Sequence, residues 1–247
     1  SYPDNDKVYF MLNEIGFFAL LGIKASKPEF DTSPEVSAIR LASGADNAEK
    51  LMNGVKGLFV EDEEGEDSAS EAGGEVPYSR KIYRALTEAM GNAVEHAYPQ
   101  QFKDKNADTC IPIWWRAGFK LNKRNTVLMI LYDQGAGVPN TLEIHWQERL
   151  AELVTRLSRE PSDNEKLEMA MEKGRSRTRM PGRGQGSYDM QSLIRESSDS
   201  ALSIFSYKGT YTYLSDGTWE SSQLLTPLRG TLVVWKVCLD VEKGMAS

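Results

Sequence analysis

Three short segments constrain this chain more than any other feature: EAMGNAVEH (Glu88 to His96), YDQGAGVP (Tyr132 to Pro139) and GRGQGSYDM (Gly182 to Met190), in that order. Positions four apart on a helix lie one above the other, so the first segment puts Glu88, Asn92 and either Glu95 or His96 on one face. An acid and an amide facing the same way can polarise a water and hold a hard cation. The second segment follows TVLMILY (Thr126 to Tyr132), an apolar run with enough β-branched and bulky residues for a buried strand. Asp133 then sits just past the end of that strand, and Gly135 and Gly137 let a flat ring approach the backbone. The third segment carries Gly182, Gly184 and Gly186 around Arg183 and Gln185, and Ser187 opens SYDMQSLIRES, which reads as a helix. Successive backbone N–H groups at a helix start attract anions.

The rest of the chain sets limits. Its 247 residues suffice for one large domain, or for one domain with an appendage. A net charge of -7 gives no general pull toward nucleic acid or anionic lipid, and neither partner is expected. Cys110 and Cys238 lack any metal-like spacing, so a reducing cytoplasm is the simplest location. The apolar run IGFFALLGI is too short to span a bilayer, which needs about 20 residues.

Residues 1–60 are expected as an N-terminal extension. Phe10, Met11, Ile15, Phe18 and Leu21 fall at helical spacing, and this helix either packs on the chain's own core, forms a homodimer contact or ends an upstream domain. A strand over Val36 to Ala42 and a helix over Ala45 to Val60 follow. The acidic, almost apolar-free run 61–76 reads as a linker, because it cannot bury enough surface to offset its ordering entropy. From residue 77 to 242 a second unit is expected. It has a helix through the first segment ended by Pro99, strands Ile111 to Leu121 and Thr126 to Tyr132 joined by a hairpin turn at NKRN, and helices Leu142 to Arg159 and Asp163 to Lys173. Strands Ala201 to Tyr207, Thr210 to Leu214 and Gly230 to Leu239 complete it, with an Asp-Gly turn in YLSDGTW.

Together with Gly230 and Thr231 in RGTLVVW, the three segments resemble the N, G1 and G2 boxes and the late Gly-Thr pair of the GHKL superfamily of ATPases, which unites gyrase, Hsp90, histidine kinases and MutL. EAMGNAVEHAY is most similar to the anti-sigma-factor serine kinases, which also place a His four residues after the Asn. The resemblance covers roughly residues 78–240. It implies the Bergerat fold, a two-layer α/β sandwich with helices on one face of a mixed, mainly antiparallel sheet, ATP and Mg2+ as ligands, and a lid over about residues 138–186.

It also implies roles. Glu88 would be the general base, Asn92 would ligate Mg2+, Asp133 would accept a hydrogen bond from the adenine amino group, and Thr231 would reach the adenine side. Gly135, Gly137 and Val138 would line the base, His96 would support the site or simply pack, and Gly182, Gly184, Gly186 and Ser187 would meet the phosphates. Gln185 stands where the family often has an apolar residue. Arg177 and Arg183, with Arg175 and Arg179, form a basic stretch suited to bidentate phosphate contact, with a solvated loop as the alternative. The expected function is ATP hydrolysis or phosphoryl transfer to Ser or Thr of an unidentified protein partner. The alternative is a nucleotide-gated interaction module with negligible turnover. The only histidines are His96 and His145, which argues against autophosphorylation on His.

Overall fold

The computed structural model describes residues 6–24, 36–44, 79–105, 113–172 and 186–239. Among them are helices α1 (Asp6–Glu14) and α2 (Phe17–Leu20), strand β1 (Val36–Gly44), helices α3 (Ser79–Gly91) and α4 (Gln100–Lys105), and strands β2 (Trp114–Leu121) and β3 (Thr126–Asp133). Helices α5 (Val138–His145), α6 (Gln147–Leu157), α7 (Asp163–Met171) and α8 (Gly186–Ser192) follow, then strands β4 (Ala201–Leu214) and β5 (Trp219–Cys238). The helix expected over Ala45 to Val60, the acidic run 61–76 and the Arg-rich stretch lie outside the described residues.

The fold is α/β, built on one open sheet of order β1-β2-β3-β5-β4. Every pairing among the described residues is antiparallel, where a mixed, mainly antiparallel sheet was expected. Strand β1 precedes the acidic run, yet it pairs with β2, Val36 opposite Leu121 and Gly44 opposite Trp114, and so forms the sheet's edge.

Strict alternation drives the core. Val127, Met129 and Leu131 of β3 face Val237, Trp235 and Val233 of β5, which in turn face Leu202 and Ile204 of β4. Onto this face α3 packs a stripe of Ile82, Ala85, Leu86, Ala89 and Met90 at helical spacing, joined by Met190 and Leu193 of the α8 region and Leu167 of α7. Trp235, fully buried at the centre, donates its indole N–H to the Met190 carbonyl at 3.2 Å.

Several elements differ from the sequence expectation for local reasons. The N-terminal helix breaks at Gly16, whose φ of 78° ends α1 and restarts the chain as α2. The helix expected from Leu142 begins at Val138, four residues early, with a proline in its first turn, and is interrupted at Trp146, where φ is -133°. The turn after β2 is a 3-10 turn, Asn122–Arg124, closed by Asn125 in the left-handed region. Helix α7 opens on a capping box in which Ser162 and Glu165 satisfy each other's backbone N–H groups.

The two strands expected at 201–207 and 210–214 are one, with a bulge at Tyr207 (φ 52°). An extra residue in a strand flips every later side chain to the other face. Before the bulge Leu202, Ile204 and Ser206 are buried; after it Gly209, Tyr211 and Tyr213 are. Strand β5 starts at Trp219 rather than Gly230, since its polar first half pairs only with β4.

Candidate functional site

The candidate site is the polar rung that ends the apolar ladder. Asp133 continues the inward phase of Val127, Met129 and Leu131, and directly opposite it on β5 stands Thr231; opposite Thr231 on β4 stands Ser206. Three neighbouring strands thus end their core face in a carboxylate and two hydroxyls. Asp133 and Thr231 line a cleft of about 1490 Å³ between the sheet, α3 and helices α5 to α7, with Ser206 buried behind them.

Asp133 is only 7% exposed. Its Oδ1 accepts the Gly135 N–H at 2.8 Å, and the Thr231 N–H also bonds the carboxylate. Burial outweighs both donors and raises its pKa from 3.8 to about 6. Carboxylate oxygens offer more lone pairs than these two N–H groups occupy. A buried acceptor of this kind fits an amino group and opposes a carbonyl at the same place, which is the difference between adenine and guanine.

Ser206 organises the rung, and no motif pointed to it. Its hydroxyl donates to the Gly230 carbonyl at 2.9 Å, accepts the Val138 N–H at 2.9 Å and lies 3.1 Å from the Thr231 hydroxyl. One side chain therefore pins the start of α5 to the Gly230–Thr231 pair. The available signal was its phase with Leu202 and Ile204. Ser206→Ala would take this partner from the buried Gly230 carbonyl and from the half-buried Val138 N–H and Thr231 hydroxyl. It is expected to lower stability by about 2 to 3 kcal/mol in chemical denaturation.

The glycines serve chain-to-chain contact. A Cβ at Gly135 would strike the Ala97 carbonyl and one at Gly230 would strike the Asp133 carbonyl, while Gly137 (φ 78°) lies beneath Tyr207 and Ser206. Gly135 is not among the cleft-lining residues, unlike Gly137 and Val138. The loop is further tied to the end of the first segment: the Ala136 N–H bonds the Ala97 carbonyl at 2.7 Å, and the Tyr98 hydroxyl accepts the Gln134 N–H at 3.1 Å while donating to the Ile113 carbonyl at 2.8 Å.

After Gly91 the α-helix widens into one π turn, Asn92–His96, with the Ala97 N–H reaching the Asn92 carbonyl at 3.0 Å. Such turns recur at functional sites because they re-aim side chains. Asn92, Glu95 and His96 of this turn line the cleft together with Glu88 of α3. Asn92 and His96 are exposed, and Glu88 is half-buried.

Burial and the nearby Asp189 and Glu95 raise the Glu88 pKa above the usual carboxylate range. Gly186, the first residue of α8, lies directly against the Glu88 carboxylate, where any Cβ would collide with it. Ser187 lines the same cleft. Arg177, Gly182, Arg183, Gly184 and Gln185 lie outside the described residues.

Among the described residues, no group of three or more His, Cys, Asp or Glu forms a metal cage. A single amide oxygen such as that of Asn92, beside a carboxylate, fits an ion that keeps most of its waters and shares phosphate oxygens, the habit of Mg2+. No helix among the described residues is long and apolar enough to cross a membrane. No protein-family model matches the chain, and no curated protein matches it.

Proposed function

We propose that this chain binds Mg-ATP in the cleft as a histidine-kinase-like ATPase of the GHKL type, with the two-layer Bergerat arrangement. In this reading it transfers the γ-phosphoryl group to water or to a Ser or Thr hydroxyl of a protein partner in the cytoplasm. The observation that carries the reading is the convergence on one cleft of Glu88, Asn92, Asp133 and Thr231, four residues from three separate parts of the sequence.

Asp133 accepts the adenine amino N–H, and the Thr231 hydroxyl, held by Ser206, lies one strand away on the same rung. The triphosphate then runs toward Asn92, Gly186 and Ser187. Asn92 is the residue that would hold Mg2+, through its amide oxygen, and the ion would supply charge neutralisation at the phosphates. Glu88 takes the proton of the attacking hydroxyl as its oxygen bonds to the γ-phosphorus; the bond to the β–γ bridging oxygen breaks and ADP leaves. Its raised pKa makes Glu88 a stronger base than a solvated carboxylate.

Asn92→Ala tests the metal assignment without touching the base-binding rung. ATP affinity measured by calorimetry is expected to lose its Mg2+ dependence, while affinity for adenosine stays unchanged. Retention of the wild-type Mg2+ dependence would remove Asn92 from this role.

A further inference from the structure

We propose a second small-molecule site, for an anion carrying an aromatic ring, in a separate cavity of about 550 Å³ that shares only Ile144 with the lining of the cleft. The volume lies within the usual range for ligand pockets, about 300 to 1,000 Å³. Its walls come from α4, Ala136 of the turn, Asn140, Glu143 and Ile144 of α5, and the β4–β5 bulge. Phe102 and Tyr207 supply aromatic surface, and Lys105 and Arg229 supply two cations. The Arg229 guanidinium stands 5.7 Å from the centroid of the Phe102 ring, which orients it as a flat donor.

The charge balance here is opposite to that of the whole chain. Among the described residues, neither Lys105 nor Arg229 has a carboxylate partner. The carboxylate in the wall, Glu143, is held by Lys166 at 2.8 Å. A net positive cavity with aromatic sides in a protein of net charge -7 selects for anions rather than attracting them generally.

Backbone strain sits at the same place. Tyr207 is a bulky residue in the left-handed region, at φ 52°, and it walls the cavity while lying against Gly137. Strain of this kind is stored where surrounding structure holds a side chain in position, and it clusters at ligand sites. A ligand against Tyr207 would press on the turn that frames Asp133. The site itself does not depend on the ATP reading, because its occupant is recognised by other residues.

The test is a fluorescence titration with 1-anilinonaphthalene-8-sulfonate, an aromatic anion, and with neutral N-phenyl-1-naphthylamine. Wild type is compared with Lys105→Gln/Arg229→Gln. Both replaced residues are exposed, so thermal melting confirms that the double variant stays folded. The sulfonate is expected to bind saturably and to weaken about tenfold or more in the variant, the scale of a lost charge-assisted contact. The neutral probe is expected to be unaffected. Equal sulfonate affinity in both proteins, or an equal loss for the neutral probe, would overturn the site.

Discussion

Glu88→Gln is expected to lower ATP turnover by about 10² to 10⁴-fold while leaving ATP affinity close to wild type, because an amide cannot accept the proton. The variant keeps the shape of the side chain that Gly186 packs against, so the loss would not be one of packing. It also removes a charge that Asp189 and Glu95 repel, so the fold at neutral pH should not weaken. A pH profile adds a second readout. Because the Glu88 pKa is raised, wild-type turnover should fall on acidification over a limb lying above the usual carboxylate range. That limb should vanish from the residual activity of Glu88→Gln. Unchanged turnover in the variant would favour the nucleotide-gated interaction module over the enzyme.

Asp133→Asn is expected to do two opposite things: stabilise the ligand-free protein near pH 7 and abolish discrimination for adenine. The carboxylate has a pKa of about 6 when folded against 3.8 as a free side chain. A raised folded pKa means the stability contribution is present below pH 3.8 and is lost as pH rises through about 6. At pH 7 to 8 the buried charge therefore costs on the order of 3 kcal/mol, and Asn, which can still accept the Gly135 N–H, relieves it. Denaturation of variant and wild type at pH 4 and at pH 8 checks the sign. The gain should be large at pH 8 and nearly absent at pH 4, whereas an equal effect at both would contradict the account. Stability given up at a buried carboxylate is what a binding residue looks like.

Asp133 was legible in the sequence because an apolar strand runs up to it and glycines follow it; that it is the strand's last residue, in phase with the core, follows from the pairing. The helix with Glu88 and Asn92 was legible from their four-residue spacing and from Pro99 beyond it. What could not be read depends on backbone choices that no composition marks. The π turn at Asn92–His96 changes which side chains share a face. The bulge at Tyr207 needs a non-glycine residue at positive φ, which local preference argues against.

The outer half of β5, ESSQLLTPLR, lacks alternation and contains Pro227. It is a strand because β4 pairs with it, and the proline falls where their register breaks. Ser206 was overlooked because a serine between Phe205 and Tyr207 carries no motif. Its place opposite Thr231 emerges only once the strands are paired.

The central claim, a pocket that reads adenine with the help of Mg2+, is tested most directly by thermal unfolding with a non-hydrolysable ATP analogue, with and without Mg2+, and with the matching GTP analogue. Ligand at about 100 times its dissociation constant adds roughly 2.7 kcal/mol, or about 5 to 10 °C for a protein of this size. The account predicts that shift with the ATP analogue and Mg2+, a smaller one without Mg2+, and none with the GTP analogue. No shift at millimolar ATP analogue, or equal shifts with both nucleotides, would contradict it.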